Sequence, residues 1–373
     1  MSAAAGAVVR GRTDLIRRVS RAGGVADVFA ETSRRLRRLV PFDAAAWLTT
    51  DPVTGLPTAP VRVDDVDGLG PDRCAEHWRR EFLVPDVNLF RELARSPVPA
   101  GGLHASAGDP ARSPRYREFL RPLGYEDELR AVLRVGDAPW GSITLWRRRG
   151  REPFTRREIG LVASLSDPVG AALRRHVRRV PLANGYAVRR PPGVLTFDLA
   201  GDVTSINEQA RAWLAELPPG PALPTDLGVD VPVWMTVTVQ RAAAVRHGAG
   251  DGTARTRVRS RRGEWLACHA TCLRGTAGAV DQTVVVLDAA DPAELAPIIA
   301  EAYGLTDREQ QIVRLIARGV GTAGIAQRLY LSPHTVRDYV KGIFHKMGVS
   351  SRGELVARLY TGFYGTPHTG DVP

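Results

Sequence analysis

Lysine is almost absent from this chain. Of 51 basic residues only Lys341 and Lys346 are lysines, and they sit five positions apart in LSPHTVRDYVKGIFHKMGV (331–349); the rest are arginine. Cysteine is scarce too: Cys74, Cys268 and Cys272 are the whole complement, and no two stand in a CxxC spacing. That excludes a disulfide framework and a cysteine zinc site, and fits a reducing compartment. Cys268 and Cys272 face the same side of a strand, where residues four apart lie ~13 Å from each other, too far to bridge. No apolar stretch approaches the roughly 20 residues needed to cross a bilayer. The opening MSAAAGAVVRGRT has no basic segment ahead of its short apolar run, which Arg10 interrupts. No secretory signal is expected, and the reading is a cytoplasmic protein without a membrane partner. Phosphate-cradling glycine loops, HExxH and the nucleophile elbow are all missing, so no catalytic residue, metal site or cofactor is expected.

What is present belongs to a folded chain of two or three domains: 373 residues, 44% hydrophobic and 24% charged. A net charge of +11 favours a polyanionic partner, nucleic acid or an anionic membrane surface.

Apolar residues at three- and four-residue intervals predict a helix over 11–40, interrupted at Gly23-Gly24. FDAAAWLTTDP reads as a strand entering a turn, and Leu129–Val135 and Trp140–Trp146 as two strands joined by a Gly-Asp turn. Thr155 and Glu158 form a capping box ahead of one long helix. The arginine run Arg147, Arg148, Arg149 and Arg151 reads as a solvated turn, and Trp47, Trp78, Trp140 and Trp146 as core. LANGYAVRRPPG (182–193) is the best linker. Beyond it GVLTFDLAGDVTSINEQARAWLAEL reads as strand, turn, strand and helix, and a hairpin around Arg-Arg-Gly with the apolar strand QTVVVLDAA closes a smaller unit. The similar strand–turn–strand grammar of the two units is the nearest thing to a repeat. The expected class is α+β: an antiparallel sheet with helices, a smaller α+β domain, and an all-α four-helix C-terminal domain.

The last 70 residues are the most informative. Thr306 and Glu309 make a second capping box, and Gly319 ends that helix. A short helix follows over Thr322–Leu329. Ser332 then caps a third helix, with Pro333 preset for its first position and Gly348 as its left-handed terminator. Ser351 and Glu354 cap a fourth. Two short helices joined by a tight turn form a helix-turn-helix layout. At about 100° per residue, Val336, Val340, Ile343 and Met347 fall within roughly 60° of arc, the core side. Lys341 lies opposite, flanked by His334, Arg337, Asp338 and His345. Lys346 lies about 140° from Lys341 and suits a phosphate or an ion pair.

The stretch LTDREQQIVRLIARGVGTAGIAQRLYLSPHTVRDYVKGIFHKMGVSSRGELVARL resembles the LuxR-type DNA-binding domain from Leu305 to Leu359. The Leu-Thr-x-Arg-Glu start, the Ile-Ala-x-x-Leu turn, the Leu-Ser-x-x-Thr-Val recognition helix and the Lys-x-Gly-Val-Ser-Ser-Arg ending carry the resemblance. It implies base contacts from Arg337, Asp338 and Lys341. Further DNA contacts are implied from His334, Thr335, His345, Lys346, Ser351 and Arg352. It also implies dimerisation through the fourth helix at Leu355, Val356 and Leu359. Gly321 and Gly324 depart from the pattern, which has Ser and Glu there, and imply a softer scaffold. Upstream, residues 23–180 are similar to a GAF domain and 193–290 to a degenerate PAS domain, folds that imply a small cavity for a metabolite, a haem or flavin, or nothing. No receiver-type phosphoacceptor pattern precedes the C-terminal unit.

The expected organisation is therefore a GAF-like domain with its N-terminal helix (1–181), a linker (182–192), a PAS-like domain (193–290), a connecting helix (291–303), the LuxR-type domain (304–362) and a tail (363–373). The expected protein is a one-component transcription regulator and homodimer on a palindromic double-stranded DNA operator. A small-molecule effector and RNA polymerase are its further expected partners. The alternatives are an oligomerising adaptor that has lost DNA binding and, last, a cofactor-binding enzyme.

Overall fold

The computed structural model describes residues 3–66, 71–178, 190–248, 253–275 and 280–360. The tail and most of the expected linker lie outside them. The chain divides into two compact units, residues 1–176 with 190–289, and residues 290–373 with 177–189.

The first unit opens with α1 (Ala3–Val19) and α2 (Val25–Leu39), separated at Gly23-Gly24 as the sequence predicts. Then come β1 (Ala44–Thr50), β2 (Pro57–Asp64), α3 (Pro71–Leu83), the single turn α4 (Phe90–Leu93), β3 (Ala100–Gly102), α5 (Leu103–Ala107), β4 (Tyr125–Val135) and β5 (Ala138–Arg148). The Thr155–Glu158 capping box is formed, but the one long helix expected after it is two, α6 (Arg156–Ala163) and α7 (Ser166–Arg178). Pro168, which has no N–H to donate, thereby falls in the first turn of α7 where none is required.

The second half of this unit contains β6 (Gly193–Phe197), β7 (Val203–Ile206), α8 (Glu208–Glu216), a small hairpin β8 (Ala222–Pro224) and β9 (Asp230–Pro232), α9 (Val233–Arg246), β10 (Arg255–Arg259), β11 (Trp265–Arg274) and β12 (Val280–Ala289). The two five-stranded sheets are ordered β2-β1-β5-β4-β3 and β10-β11-β12-β6-β7, antiparallel throughout. Numbered within each half, both read 2-1-5-4-3. The shared grammar seen in the sequence is a shared topology.

The halves are not independent. One hydrophobic cluster runs from Leu48, Val61, Cys74 and Trp78 to Leu195, Trp234, Met235 and Val258. Edge strands β2 and β10 face each other. Thr58 Oγ1 donates to the Arg257 carbonyl at 2.6 Å, Thr256 Oγ1 to that of Pro57 at 3.2 Å, and the Arg257 guanidinium meets Asp51 at 2.8 Å. Each exposed edge is blunted by the other.

Charge also penetrates the first sheet. Arg130 is fully buried and bonds Glu81 at 2.7 Å, while Arg115 bonds Glu128 at 2.9 Å. Arg147, expected in a solvated turn, is buried against Phe154 and bonded to Glu158. The four tryptophans read as core are all buried. The buried thiols of Cys74 and Cys268 are each pushed up to about 12 by burial, which leaves them unreactive. No helix among the described residues is long and apolar enough to cross a membrane.

The second unit is helical: α10 (Pro292–Tyr303), α11 (Asp307–Ala317), α12 (Thr322–Leu329), α13 (Pro333–Met347) and α14 (Arg352–Tyr360). Ile312, Ile316, Ile325, Ala326, Val336, Ile343 and Met347 are buried as its core. A four-helix domain of this size holds a rigid surface only if each helix end is secured, and here most are. Thr306 and Glu309 complete a capping box on α11, and Gly348 takes the left-handed conformation (φ 63°) that ends α13.

Candidate nucleic-acid interface

Helix α13 starts where its sequence says. The Ser332 hydroxyl accepts from the Thr335 amide at 3.0 Å and pairs with the Thr335 hydroxyl at 2.8 Å, and Pro333 occupies the first position. Val336, Val340, Ile343 and Met347 point inward. His334, Arg337, Asp338, Lys341 and His345 are exposed on the other side. His334 and Asp338, one turn apart, are 3.0 Å from each other. Arg337 Nε donates back to the Pro333 carbonyl at 3.2 Å, which sets its guanidinium at the N-terminal end of the helix. Among the described residues Lys341 makes no ion pair or hydrogen bond. Both cations are exposed on the side of α13 away from the core.

Residues 304–359 match the family described as bacterial regulatory proteins of the luxR family. This segment is a LuxR-family domain. Over 67 residues the chain is 39% identical to the transcriptional regulatory protein DesR of Bacillus subtilis, covering 18% of this chain and 34% of DesR. It is 39% identical over 59 residues to UhpA of Escherichia coli (16% of this chain, 30% of UhpA). It is 41% identical over 59 to the bialaphos biosynthetic pathway regulatory protein of Streptomyces hygroscopicus (16% and 23%). The chain spans about a third or less of the length of these relatives. Among solved structures, Escherichia coli SdiA covers 95% of this chain and 98% of its own at 15% identity and a TM-score of 0.35. A Vibrio cholerae VqmA–ligand–DNA complex covers 47% and 84% at 21% identity and a TM-score of 0.20.

Three residues expected to meet DNA or a partner subunit have contacts within the domain. Lys346 stays exposed but is paired there, its Nζ donating to Glu309 at 2.6 Å and to the Gly304 carbonyl at 3.0 Å. It takes the ion-pair option in this structure. Burial pushes the Glu309 carboxyl up, but the bonds from Lys346 and Thr306 more than reverse this and leave it below its usual 4.5. A carboxylate depressed by folding contributes stability above that usual value and loses it as pH falls through the folded one. Lys346→Met is therefore expected to destabilise the domain by about 1–2 kcal/mol at pH 7 and by less near pH 4, with DNA affinity little changed. Denaturant melts at the two pH values and a duplex titration check this.

Arg352 is the second. Its guanidinium donates to the Val320 carbonyl at 3.3 Å and to Thr322 Oγ1 at 2.9 Å, bracing α14 against the α11–α12 turn. Leu355 is the third. It is fully buried, so it anchors α14 and is withheld from any partner. Val356 is half-buried, and the Leu359 side chain lies outside the described residues. Ser351 stays exposed, its hydroxyl accepting from the Glu354 amide at 3.1 Å.

One residue was missed. Tyr330, in the turn of the helix-turn-helix motif, is 97% exposed and left-handed (φ 54°). That conformation suits Gly or Asn, and an aromatic there sets a phenol beside the entrance of α13. The signal was in the sequence: Leu-Tyr-Leu-Ser gives the turn between two helices no residue built for it.

The departures at Gly321 and Gly324 are real. Gly321 is the N-cap of α12 with no side chain to accept from the first turn. A Cβ on Gly324 would come within 3.0 Å of Val320 Cγ1, the end of a side chain that can rotate. Gly324→Ala is expected to stabilise the domain by about 0.5–1 kcal/mol less whatever Val320 gives up. A thermal melt of the variant reads this out.

Proposed function

We propose that the chain is a transcription regulator that binds double-stranded operator DNA through α13. The observation that carries this is the division of one helix into a buried aliphatic side and an exposed side on which Arg337 and Lys341 have no competing acid. The chain's net charge of +11 supplies the sequence-independent attraction to the phosphate backbone. His334, Asp338 and His345 complete the base-facing surface. Thr335, Ser351 and Tyr330 are placed to meet phosphates. The luxR-type segment and the regulators it matches support the reading.

In this reading a homodimer sets two recognition helices in successive major grooves about 34 Å apart, so the operator is palindromic. Val356 and the exposed face of α14 meet the partner. The two halves of the first unit act as GAF-like and PAS-like modules that take a small-molecule signal, the protein works in the cytoplasm, and RNA polymerase is its further contact. Selection of duplexes from a random pool, followed by titration in competitor DNA, tests the core of this. A selected, two-fold-related site is the expected result. Failure to retain any duplex even at low salt would overturn it.

A further inference from the structure

The surplus of positive charge is unevenly placed. Residues 304–359 carry nine basic and four acidic residues, and residues 1–39 carry nine arginines against three acids. In the remainder of the chain the two signs balance one for one. The net charge of +11 therefore resides in two stretches, the LuxR-type segment and the pair α1 and α2. The α13 interface engages the first and leaves the second without a partner.

The two helices lie antiparallel, Gly11 against Leu39 and Asp14 against Arg35. Their apolar sides are closed: Leu15, Val19, Val28, Phe29 and Leu36 are buried. Their outer side is cationic, and two of its three acids are already taken. Asp14 is bonded by Arg17 at 2.6 Å and by Arg35, and Glu31 by Arg34 at 2.6 Å and Arg35 at 2.9 Å. Asp27 stands exposed in the first turn of α2, where the helix dipole favours a carboxylate. Arg12 is bonded to Ser164 at 2.8 Å and Arg37 to Asp65 at 2.7 Å. That leaves Arg10, Arg18, Arg21 and Arg38, all exposed, whose side chains make no ion pair or hydrogen bond among the described residues. Arg175, donating to the Ser20 carbonyl at 2.9 Å, brings a further guanidinium to the end of α1. A basic helix that lies on a bilayer inserts an exposed apolar side, and here that side is spent on the core, with Val9 the one large exposed hydrophobic described on α1. Duplex DNA asks only for cations. It carries one charge per ~1.7 Å of axis, so phosphates lie within reach of arginines such as Arg10 and Arg18, ~12 Å apart along the helix.

We infer that α1 and α2 form a second DNA-binding surface, which holds the phosphate backbone of a duplex without reading its bases. Each free guanidinium offers paired donors to phosphate oxygens. The surface goes beyond the reading of α13 and is tested apart from it. Should α13 select no site, the contribution of α1 and α2 would still be measurable on any duplex.

The test titrates the full-length protein with a scrambled duplex over a range of salt concentrations. Arg10→Gln, Arg18→Gln, Arg21→Gln and Arg38→Gln combined should weaken binding at least about tenfold at low salt and flatten the slope of log affinity against log salt by about two to four. Arg21→Gln alone should flatten it by about one. Arg112→Gln, Arg121→Gln, Arg156→Gln and Arg157→Gln combined remove the same charge from other exposed positions of the first unit and should leave the slope close to that of the parent. All eight side chains are exposed, so melting temperatures should match the parent. An unchanged slope in the α1–α2 variant, or an equal change in both combined variants, overturns the inference. So does an α1–α2 variant that keeps its affinity for the duplex and loses only its affinity for vesicles of equal parts phosphatidylcholine and phosphatidylserine.

Discussion

Replacing Arg337 or Lys341 by alanine is expected to weaken binding to the selected operator by about 1–3 kcal/mol, roughly 10- to 100-fold, and to relax its sequence preference. The two should differ in kind. Arg337 presents a planar fork, tied at its Nε to the Pro333 carbonyl, and so can grip a guanine with its remaining donors. Arg337→Lys should therefore lose much of the discrimination while keeping the charge. Lys341 is a point charge on a flexible stem, and Lys341→Arg should retain most of the affinity. Neither substitution touches the buried side of α13, so melting temperature should stay where it is. Titrations of the four variants against selected and scrambled duplexes at two salt concentrations decide the matter. Equal losses on both duplexes would mean the helix does not read bases.

The second large effect concerns the seam between the two halves of the first unit. Arg257→Met is expected to destabilise that unit by about 3–5 kcal/mol at pH 7, because it strands the carboxylate of Asp51, which is 1% exposed. The Val53 and Thr54 amides still reach that carboxylate, at 2.9 and 3.4 Å, but they carry no compensating charge. Burial already raises the Asp51 pKa above its usual 3.8, outweighing the pull of Arg257. The sign follows. A carboxyl that binds its proton more tightly when folded loses stability as pH rises past its unfolded value, since the unfolded chain ionises first. Removing Arg257 raises that folded value further, so the deficit of Arg257→Met should shrink as pH is lowered. Asp51→Asn combined with Arg257→Met should recover much of the loss. Denaturant unfolding of the single and double variants at pH 5 and pH 8 measures both effects. A single variant as stable as the parent at pH 8 would show that the seam does not depend on this pair.

Three kinds of information were legible in the residues alone. Helix ends were, because Ser, Thr and Glu at capping spacings and Gly after a helix act on backbone groups within four residues. The starts of α6, α11 and α13 and the end of α13 fall where those signals stand. The apolar arc of α13 was legible for the same reason: a helix repeats every 3.6 residues whatever surrounds it. So was the sheet grammar of both halves, since alternation and Gly-Asp turns are local.

What the sequence left open is everything that depends on which distant group arrives opposite a side chain. ELRAVLR announces a strand, but only the packing of α3 and α4 against it makes Glu128 and Arg130 interior residues. Lys346 and Lys341 look alike as letters. The arrival of Glu309, 37 positions earlier in the chain, pairs one within the domain and leaves the other exposed. Arg352 bonds the α11–α12 turn and Leu355 is buried in the core, contacts that no spacing in the sequence announces. The chain by itself thus determined the elements, their caps and the side of α13 that faces outward. Tertiary structure alone decided which charges are already neutralised and which stay exposed. Electrostatic energy depends on distance and burial, and neither is written in the order of residues.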